Sequence, residues 1–331
     1  MNYSIIIPAY NAEKTIKKCV QSIMKQTCPE WEAIVIDDGS NDRTYLLTKE
    51  LAEHENRIRV FTQKNMGPGI ARNIGIGKAT GDFIIFLDAD DYLEPDYIDC
   101  IDEIIQKEKA DIVVIDNFYE NERGIVYRTE RLSNFAFLSK RELIAAQMTG
   151  KLPWGAWRKV VKHQILKENE IWFSSDQVGE EAVYSFNVFY YAQKIAFAKK
   201  CIYHYVNYSQ SQSKKGDDDP WGPAVKKMRW FLEEKGILNT YENEWNSFAA
   251  SALVVSLFRI SCNHPFMNAW SLCRERIRDF KKKSSGPVNA KSLEGRVKGV
   301  LLLVHLNCVI PIICLSKIKK VKNGMAEKGN T

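Results

Sequence analysis

The chain has 331 residues, and its 45% hydrophobic and 27% charged residues are ordinary for a soluble globular protein. Its eight cysteines include no Cys-x-x-Cys pair and do not cluster with the five histidines, which argues against a structural zinc site. The length exceeds that of most single cores, so we expect one full domain and a smaller appendage. The apolar run before Pro8, Ile5–Ile7, has only three residues, too few for a secretory signal, so we expect a cytoplasmic protein with reduced thiols.

The charge is unevenly distributed along the chain. From Lys281 to Thr331 there are eleven Lys/Arg and two acids, a net charge of +9. Because the whole chain carries +6, the residues before Lys281 carry −3. A basic end on a slightly acidic body predicts contact with something anionic, and a membrane and a nucleic acid are both candidates at this point.

Short apolar runs recur early in the chain, with starts 25 to 28 residues apart, the length of one strand-helix-strand repeat. Unalternated Ile, Val and Phe suit strands that are covered on both faces, as in a parallel sheet. The runs are Ser4–Ile7, Glu32–Ile36, Ile58–Phe61, Phe83–Leu87 and Asp111–Ile115.

The segments between these runs have apolar residues at helical spacing. The first follows Asn11, which we predict to be its N-cap, and a later one begins at Pro95, where a first helical turn tolerates proline. The sequence therefore predicts a doubly wound α/β domain, with a mostly parallel sheet and helices on both faces. Such sheets bind ligands at the carboxyl ends of their strands.

Beyond residue 120 the pattern is looser. A polar segment rich in helix breakers, Ser209–Pro223, indicates a domain boundary, and the residues after it are mainly helical in character. We therefore expect a first domain at 1–215 and a helical extension at 216–331. The other predicted elements are a hairpin at 124–132, helices at 140–149 and 179–193, and a strand at 202–206.

Polar side chains follow three of the predicted strands. Pro8-Ala9-Tyr10-Asn11 follows the first, Asp37-Asp38 the second and Asp88-Ala89-Asp90-Asp91 the fourth. Acids at strand ends are commonly turn formers or helix N-caps. Carboxylates held close together also raise one another's pKa values, a conflict that Mg²⁺ or Mn²⁺ bridging phosphates relieves. From the residues alone, turn formers and a cation site both remain open.

A glycine-containing loop follows the third predicted strand. Gly67-Pro68-Gly69-Ile70-Ala71-Arg72 shares glycines with a dinucleotide-binding fingerprint, but it does not follow the first strand and has Arg72 where the third glycine belongs. It fits a helix start that faces a phosphate better, with a plain helix entry as the alternative.

Together these segments resemble the family 2 glycosyltransferases, a large bacterial group of enzymes with the GT-A fold. The resemblance covers residues 3–213 and rests on four motifs in the family's order. In one of them Asn65-Met66-Gly67-Pro68 departs from the commoner Asn-Gly-Gly-Leu. The motifs are Ser4–Glu13, Val35–Asp42, Asn65–Asn73 and Thr80–Asp91.

The resemblance implies a role for individual residues. Tyr10 and Asp38 would hold the nucleobase, and Arg72 would lie near the diphosphate. Asp88 would contact the ribose or the metal, and Asp90 would ligate a divalent Mn²⁺ or Mg²⁺ directly. The implied nucleotide-sugar site comprises Pro8, Ala9, Tyr10, Asn11, Asp38, Arg72, Asp88 and Ala89.

The family's acidic catalytic motif is commonly Gly-Glu-Asp at the start of a helix, and its counterpart here is Gly179-Glu180-Glu181. Glu181 stands at the position of the catalytic Asp and is one methylene longer. We therefore take Glu181 as the predicted base and Glu180 as the second candidate. The helix dipole alone also favours acids in a first turn.

The resemblance implies transfer with inversion in a single displacement. A metal would act as a Lewis acid, and a carboxylate would remove the acceptor proton. We expect a UDP sugar as donor and a glycan or lipid-linked saccharide as acceptor, in the synthesis of a bacterial surface polysaccharide. Trp154, Trp157 and Tyr203 are candidates for stacking on acceptor sugar rings, with packing in the core as the commoner alternative.

Two other functions are weighed against this one. A nucleotidyltransferase also uses an α/β sheet with paired acids, but it would have a loop rich in glycine and basic residues after the first strand, and Pro8–Asn11 is not such a loop. A degenerate, non-catalytic binding subunit would not need Asp88, Asp90 and the Glu180/Glu181 pair.

The most apolar run of the chain, Gly299–Leu315, lies near its end and contains His305, Asn307 and Pro311, so it is marginal as a spanning helix. A lysine cluster, Lys317–Lys322, follows it directly. This arrangement predicts peripheral docking on the inner face of the plasma membrane, with packing on the domain as the alternative. Nucleic acid is not the expected partner, because the tail has aliphatic residues where stacking aromatic residues would be needed.

Overall fold

The computed structural model describes residues 1–176, 178–208, 217–284, 293 and 295–317. Within them the chain forms two compact units. The first consists of Met1–Gln147, Leu152–Asp176 and the stretch from Glu180 to 208, and the second is mainly the chain from 217 onward. The predicted boundary at 215/216 and most of the predicted lysine cluster lie outside the described residues.

The described part of the first unit contains a nine-stranded sheet. Its strands are β1 (Tyr3–Ala9), β2 (Trp31–Asp37), β3 (Ile58–Thr62), β4 (Phe83–Phe86), β5 (Tyr92–Leu93), β6 (Ile112–Asn121), β7 (Val126–Glu130), β8 (Lys159–Lys162) and β9 (Ile195–Asn207). Their order is β3-β2-β1-β4-β8-β6-β9-β5, with β7 paired to β6.

The two halves of this sheet differ in strand direction. Strands β1 to β4 are parallel neighbours, so their carboxyl ends lie at the same edge. Strand β8 is antiparallel to both β4 and β6, and β9 is parallel to β6. The five predicted apolar runs form β1 to β4 and β6. The predicted hairpin is formed by β7 with the end of β6.

Seven helices accompany the described strands: α1 (Ile16–Met24), α2 (Thr44–His54), α3 (Pro68–Lys78), α4 (Tyr97–Glu108), α5 (Lys140–Met148), α6 (His163–Glu168) and α7 (Glu180–Tyr191). The prediction that Asn11 caps the first helix is wrong. The N-cap of α1 is Thr15, whereas Asn11 has a positive φ of 50° and accepts a hydrogen bond from the Asn41 N–H at 2.9 Å. Asn11 therefore joins the loops that follow β1 and β2.

The sheet is covered on both faces. Alternate residues of β1 point to opposite sides, and Ile5 and Ile7 pack with Ile16 and Val20 of α1 in one buried cluster. On the other face, Phe86 meets the rings of Phe173 and Tyr184 edge-on, with centroids 5.4 and 5.8 Å away. Coverage of both faces explains why the strands are apolar without alternation.

The second unit is helical in its described part. It contains α8 (Gly222–Glu234), α9 (Leu238–Asn263), α10 (Phe266–Lys283), α11 (Gly295–His305) and a further helical stretch, α12, at 309–317. Of the described helices, α9 alone is long and apolar enough to cross a membrane, with a mean hydropathy of 1.2. Because 72% of the most apolar 18-residue stretch of α9 is buried, α9 has the surroundings of a core helix.

Gly75 marks the closest approach of α3 to the sheet. A Cβ at Gly75 would lie 2.3 Å from Cγ2 of Ile6, whereas a Cβ at Gly77 in the same helix would meet nothing within 4 Å. We expect the free energy of unfolding of Gly75→Ala to be lower than that of Gly77→Ala by about 1–3 kcal/mol. Both substitutions gain a similar amount of helix propensity, but only the one at position 75 overpacks the contact with Ile6. Urea unfolding followed by circular dichroism measures this difference. Equal stability of the two variants would contradict the close packing.

Candidate active site

The first wall of the site is formed where β1, β2 and β3 end. The Asp38 N–H donates to the Ala9 carbonyl at 2.8 Å, and the Gln63 N–H donates to the Asp37 carbonyl at 2.9 Å. These bonds hold the three strand ends together. The Tyr10 ring, which the resemblance assigns to the nucleobase, stands 39% exposed at this edge and is accessible to a ligand.

Asp38 holds the loop that departs from the family's pattern. One carboxylate oxygen accepts hydrogen bonds from the Met66 N–H at 2.8 Å and the Gln63 side chain at 2.5 Å. The other accepts from the Gly67 N–H at 2.8 Å. Gly67 has a φ of 89°, which favours glycine and turns its N–H toward the carboxylate. Asp38 is 4% exposed, and its role toward a nucleobase remains a prediction.

The three acids after β4 have different surroundings. Asp91 is 2% exposed and accepts hydrogen bonds from the Tyr203 hydroxyl at 2.6 Å and the Val206 N–H at 2.8 Å, so it fastens the turn to β9. Asp88 accepts a hydrogen bond from Arg72. Asp90 is exposed, and no side chain of the described residues pairs with its carboxylate. Of the three, Asp90 is therefore the most available to a ligand.

The pKa values of Asp88 and Asp90 reflect their crowding. Protein atoms around Asp90, together with the Asp88 carboxylate, raise its pKa to about 6 although its side chain reaches solvent. Burial also raises the pKa of Asp88, and Arg72 opposes that shift. Two neighbouring carboxylates that resist ionisation together are the kind of pair that a divalent cation stabilises.

Arg72 joins the β4 acids to the acids of α7. Its Nη2 lies 2.9 Å from Oδ1 of Asp88, and its Nη1 lies 3.6 Å from Oε1 of Glu181. Burial alone would lower the pKa of Arg72, but Glu181 and Asp88 raise it, so the buried guanidinium stays charged. Its Nε and Nη1 are buried and have no hydrogen-bond acceptor among the described residues.

Glu181 and Glu180 begin α7 and differ in their pKa values. Burial alone would raise the pKa of Glu181, but Arg72, the Ala156 N–H at 2.9 Å and Lys159 together lower it. In contrast, burial and the nearby Glu181 raise the pKa of Glu180 to about 7. At neutral pH Glu181 is therefore ionised, as a general base must be.

Lys159 is a residue that sequence reasoning missed. It is 1% exposed, and its Nζ donates to the carbonyls of Trp154 at 2.8 Å and Gly155 at 2.7 Å. These carbonyls belong to the loop whose Ala156 N–H holds Glu181. Burial lowers the pKa of Lys159 to about 7, although Glu181 opposes the shift. A lysine in a short basic-apolar segment carries no local signal of such a position.

The aromatic residues proposed for acceptor stacking are mostly part of the core. Trp157 and Tyr203 are 4% and 0% exposed and stack on each other with centroids 4.5 Å apart, so for these two the alternative of packing in the core, which the sequence favoured, is confirmed. The Trp154 indole N–H donates to the Gln147 carbonyl at 2.6 Å. Trp157 and Tyr203 belong to the main buried cluster of the first unit.

The structure thus brings Asp88, Arg72 and Glu181 into direct contact, whereas Tyr10 and Asp38 stand at the ends of β1 and β2. Within the described residues no three His, Cys, Asp or Glu side chains converge as a metal-binding group. Two carboxylates are sufficient where substrate phosphates supply further ligands, as is common for Mg²⁺.

Comparison with known proteins identifies the family. The profile of glycosyl transferase family 2 matches residues 4–189, more than half of the chain. The chain belongs to glycosyl transferase family 2. It is an enzyme of the glycosyltransferase class, and this decides against the nucleotidyltransferase and the non-catalytic binding subunit.

Relatives of the chain are bacterial glycosyltransferases. EpsH of Bacillus subtilis is 27% identical over 331 residues, which cover 95% of this chain and 94% of EpsH. Glycosyltransferase GlyG of Streptococcus pneumoniae is 26% identical over 270 residues, 78% of this chain and 84% of GlyG. The poly(ribitol-phosphate) β-N-acetylglucosaminyltransferase TarS of Staphylococcus aureus is 26% identical over 211 residues, which cover 62% of this chain and only 35% of TarS.

The solved structures confirm the GT-A fold. Residues 1–349 of S. aureus TarS in complex with UDP-GlcNAc match with a TM-score of 0.69 at 20% identity, covering 97% of this chain and 92% of that one. The same fragment with UDP matches with a TM-score of 0.68. The mixed sheet with its helical extension is thus the architecture of this glycosyltransferase.

We expect Lys159→Met to slow the enzyme's turnover about 10- to 100-fold, with the KM for its donor little changed. The substitution removes two hydrogen bonds from the loop that holds Glu181, and small displacements of a reacting group cost rate rather than binding. Steady-state kinetics with the accepted donor provides the measurement. Lys162→Met, three residues along the same strand and half-exposed, is the matched control. A larger effect on KM than on kcat would contradict a positioning role.

Proposed function

We propose that this glycosyltransferase transfers a sugar from a nucleotide diphosphate, with UDP as the expected nucleotide, to an acceptor hydroxyl with inversion at the anomeric carbon. The observation that carries the proposal is the Arg72 guanidinium, which contacts Asp88 at the end of β4 and Glu181 at the start of α7. One buried cation thereby links the carboxylates predicted for the donor with the carboxylate predicted for the acceptor proton.

The donor class is supported by the structural neighbours. The TarS fragments that share this fold were solved with UDP-GlcNAc and with UDP. In this chain, Tyr10 is the exposed ring available to a base, and Arg72 retains unpaired N–H groups for a diphosphate. Guanidinium groups suit phosphate oxygens because their donors form a planar fork.

A divalent cation fits the Asp88 and Asp90 carboxylates. These two residues would hold it, since Asp91 is engaged by Tyr203 and Val206. When bound, Mn²⁺ or Mg²⁺ offsets the negative charge of a diphosphate leaving group. Asp90 supports this assignment because it is accessible and because the surrounding protein and, after it, the Asp88 carboxylate raise its pKa.

The chain's own residues supply the remaining chemistry. Glu181 accepts the proton of the acceptor hydroxyl as that oxygen attacks the anomeric carbon, and the nucleotide diphosphate departs on the opposite side. The Ala156 N–H fixes one oxygen of Glu181, while Arg72 keeps the carboxylate ionised. A single displacement of this kind inverts the anomeric configuration and needs no second nucleophile.

The acceptor class is proposed from the relatives of the chain and from the charge of its C-terminal region. TarS acts on poly(ribitol-phosphate), according to its name, and a bacterial surface glycan or its lipid-linked precursor is the corresponding acceptor class for this chain. We place the reaction at the cytoplasmic face of the plasma membrane. The basic C-terminal region, with its net charge of +9 after residue 280, supports this location.

We expect one UDP sugar from a panel of nucleotide sugars to raise the thermal stability of the protein only in the presence of Mn²⁺ or Mg²⁺. A ligand at a hundredfold excess over its Kd stabilises a protein by about 2.7 kcal/mol. Asp90→Asn should abolish the metal-dependent part of the shift, and Glu103→Gln, an exposed carboxylate of α4, should leave it intact. The proposed donor site would be refuted if the full thermal shift persisted in the presence of a metal chelator. It would also be refuted if no nucleotide sugar raised the thermal stability.

We expect Glu181→Gln to lower kcat about 10²- to 10⁴-fold, the range for a lost general base, and Glu180→Gln to have a much smaller effect. The pH dependence of kcat distinguishes the two candidates. A base is active when ionised, so Glu181, with its lowered pKa, should give a kcat that stays level as the pH falls through about 7. If Glu180 were the base, kcat would fall as pH drops through about 7.

A further inference from the structure

The C-terminal half of α10 presents a basic recess on the second unit. The recess has a volume of about 480 Å³, and no acidic side chain lines it among the described residues. Its lining combines four exposed cations with apolar and amide side chains: Arg274, Arg278, Lys281, Lys282, Trp270, Ile277, Asn307 and Val309.

The four cations are available to a ligand. In the described part of the chain none of them forms an ion pair, whereas Arg276 of the same helix pairs with Asp219. The Arg274 guanidinium lies 4.7 Å from the centroid of the Trp270 ring. Lys281 donates to the Asn307 side chain at 2.8 Å and keeps further N–H donors. The recess therefore concentrates positive charge that the protein itself does not neutralise.

Exposed aliphatic residues adjoin this recess. Leu306 and Ile310, which flank its lining residues Asn307 and Val309, are 63% and 54% exposed. Leu302 lies one helical turn before Leu306 and is 62% exposed. The opposite side of the same segment is buried in the core of the unit, where Val300, Leu301, Val304, Ile312 and Ile313 pack.

The segment thus has two apolar sides, of which the second unit covers only one. Three large exposed aliphatic side chains thus lie beside four cations that form no ion pair among the described residues. Below, the docking face means the four cations Arg274, Arg278, Lys281 and Lys282 with the three aliphatic residues Leu302, Leu306 and Ile310.

We propose that the docking face binds an anionic phospholipid bilayer, with a lipid phosphate in the basic recess and the three aliphatic side chains in the interfacial layer. Cations beside a row of aliphatic residues match the two chemistries of such a surface. A folded protein partner would need acidic groups of its own and a surface that fits the recess. A nucleic acid would need several stacking aromatic residues, whereas Trp270 is the one aromatic residue among those described that lines the recess, and Arg274 lies over its ring. This inference rests on the proposed function only for the location of the acceptor.

The sequence that follows the described residues continues the same charge pattern. Lys319, Lys320 and Lys322 follow in the sequence, and no acidic residue appears between 317 and 326. Each basic residue near an anionic surface contributes about 1 kcal/mol to binding.

Vesicle sedimentation with the full chain tests the proposal. We expect binding to vesicles of phosphatidylcholine with phosphatidylglycerol, weak binding to phosphatidylcholine alone, and loss of binding at high salt. The double variant Arg278→Ser/Lys282→Ser should lower the partition coefficient about thirty-fold, since two cations are removed. The double variant Leu306→Ser/Ile310→Ser should lower the partition coefficient on the same vesicles even at low salt, where the charge attraction is strongest.

The matched control is Lys107→Ser/Lys167→Ser, which removes the same charge from exposed helical positions of the first unit. If this control loses as much vesicle binding as Arg278→Ser/Lys282→Ser, the docking face is refuted. Tighter binding of a mixed-sequence RNA than of the anionic vesicles would also refute it.

The thermal shift with the accepted nucleotide sugar separates this proposal from the proposed function. Both docking-face variants should keep that shift, since none of the substituted residues lies in the first unit. Vesicle binding without any nucleotide-sugar response would refute the donor assignment alone. A nucleotide-sugar response without vesicle binding would refute the docking face alone.

Discussion

The candidate site depends on one buried cation surrounded by carboxylates. Arg72 extends from α3 and contacts Asp88 and Glu181, which come from β4 and α7. Without its charge, the acids at these two element ends would repel one another in a desolvated setting, and some would have to bind protons. The guanidinium therefore keeps Glu181 ionised and holds the two halves of the site within ion-pairing distance.

The backbone around Arg72 is fixed by several independent contacts. The Asn73 side chain exchanges two hydrogen bonds of 2.8 Å with the backbone of Phe173, which ties α3 to the segment that leads into α7. Gly75 allows α3 to lie directly on Ile6 of β1. Because α3 is held at both contacts, the guanidinium has little freedom to leave its carboxylates. Such preorganisation is what electrostatic catalysis requires of a site.

The sequence predicted the parallel half of the sheet well and the other half only in part. Strands β1 to β4 are runs of mainly Ile, Val and Phe because both their faces are covered, and such runs can be recognised in the amino-acid sequence. Strand β8, Lys159–Lys162, is four residues long and half basic, so no periodicity marks it. Its position between β4 and β6 is decided by long-range packing, which no local pattern records.

The same distinction holds for the site residues. Tyr10, Asp38, Asp88 and Asp90 lie in motifs, so the resemblance to the family singled them out. The contact of Arg72 with Glu181 joins residues more than a hundred positions apart and depends on the tertiary fold. For the apolar C-terminal run, packing on the unit accounts for one side of the segment, whereas membrane docking of the other side stays a prediction. Val304 and its neighbours pack inward while Leu302 and Leu306 face solvent.

The buried amine of Lys159 makes the free energy of unfolding depend on pH. In the folded protein its pKa is about 7, and in an unfolded chain it returns to the ordinary lysine value of 10.5. The unfolded state thus binds the proton more tightly, and the linkage destabilises the native state progressively as pH falls from 10.5 to 7, by about 1.4 kcal/mol for each pH unit. Below pH 7 that cost is constant. An apolar side chain here would remove that cost and would also leave the Trp154 and Gly155 carbonyls without the donor that Lys159 supplies.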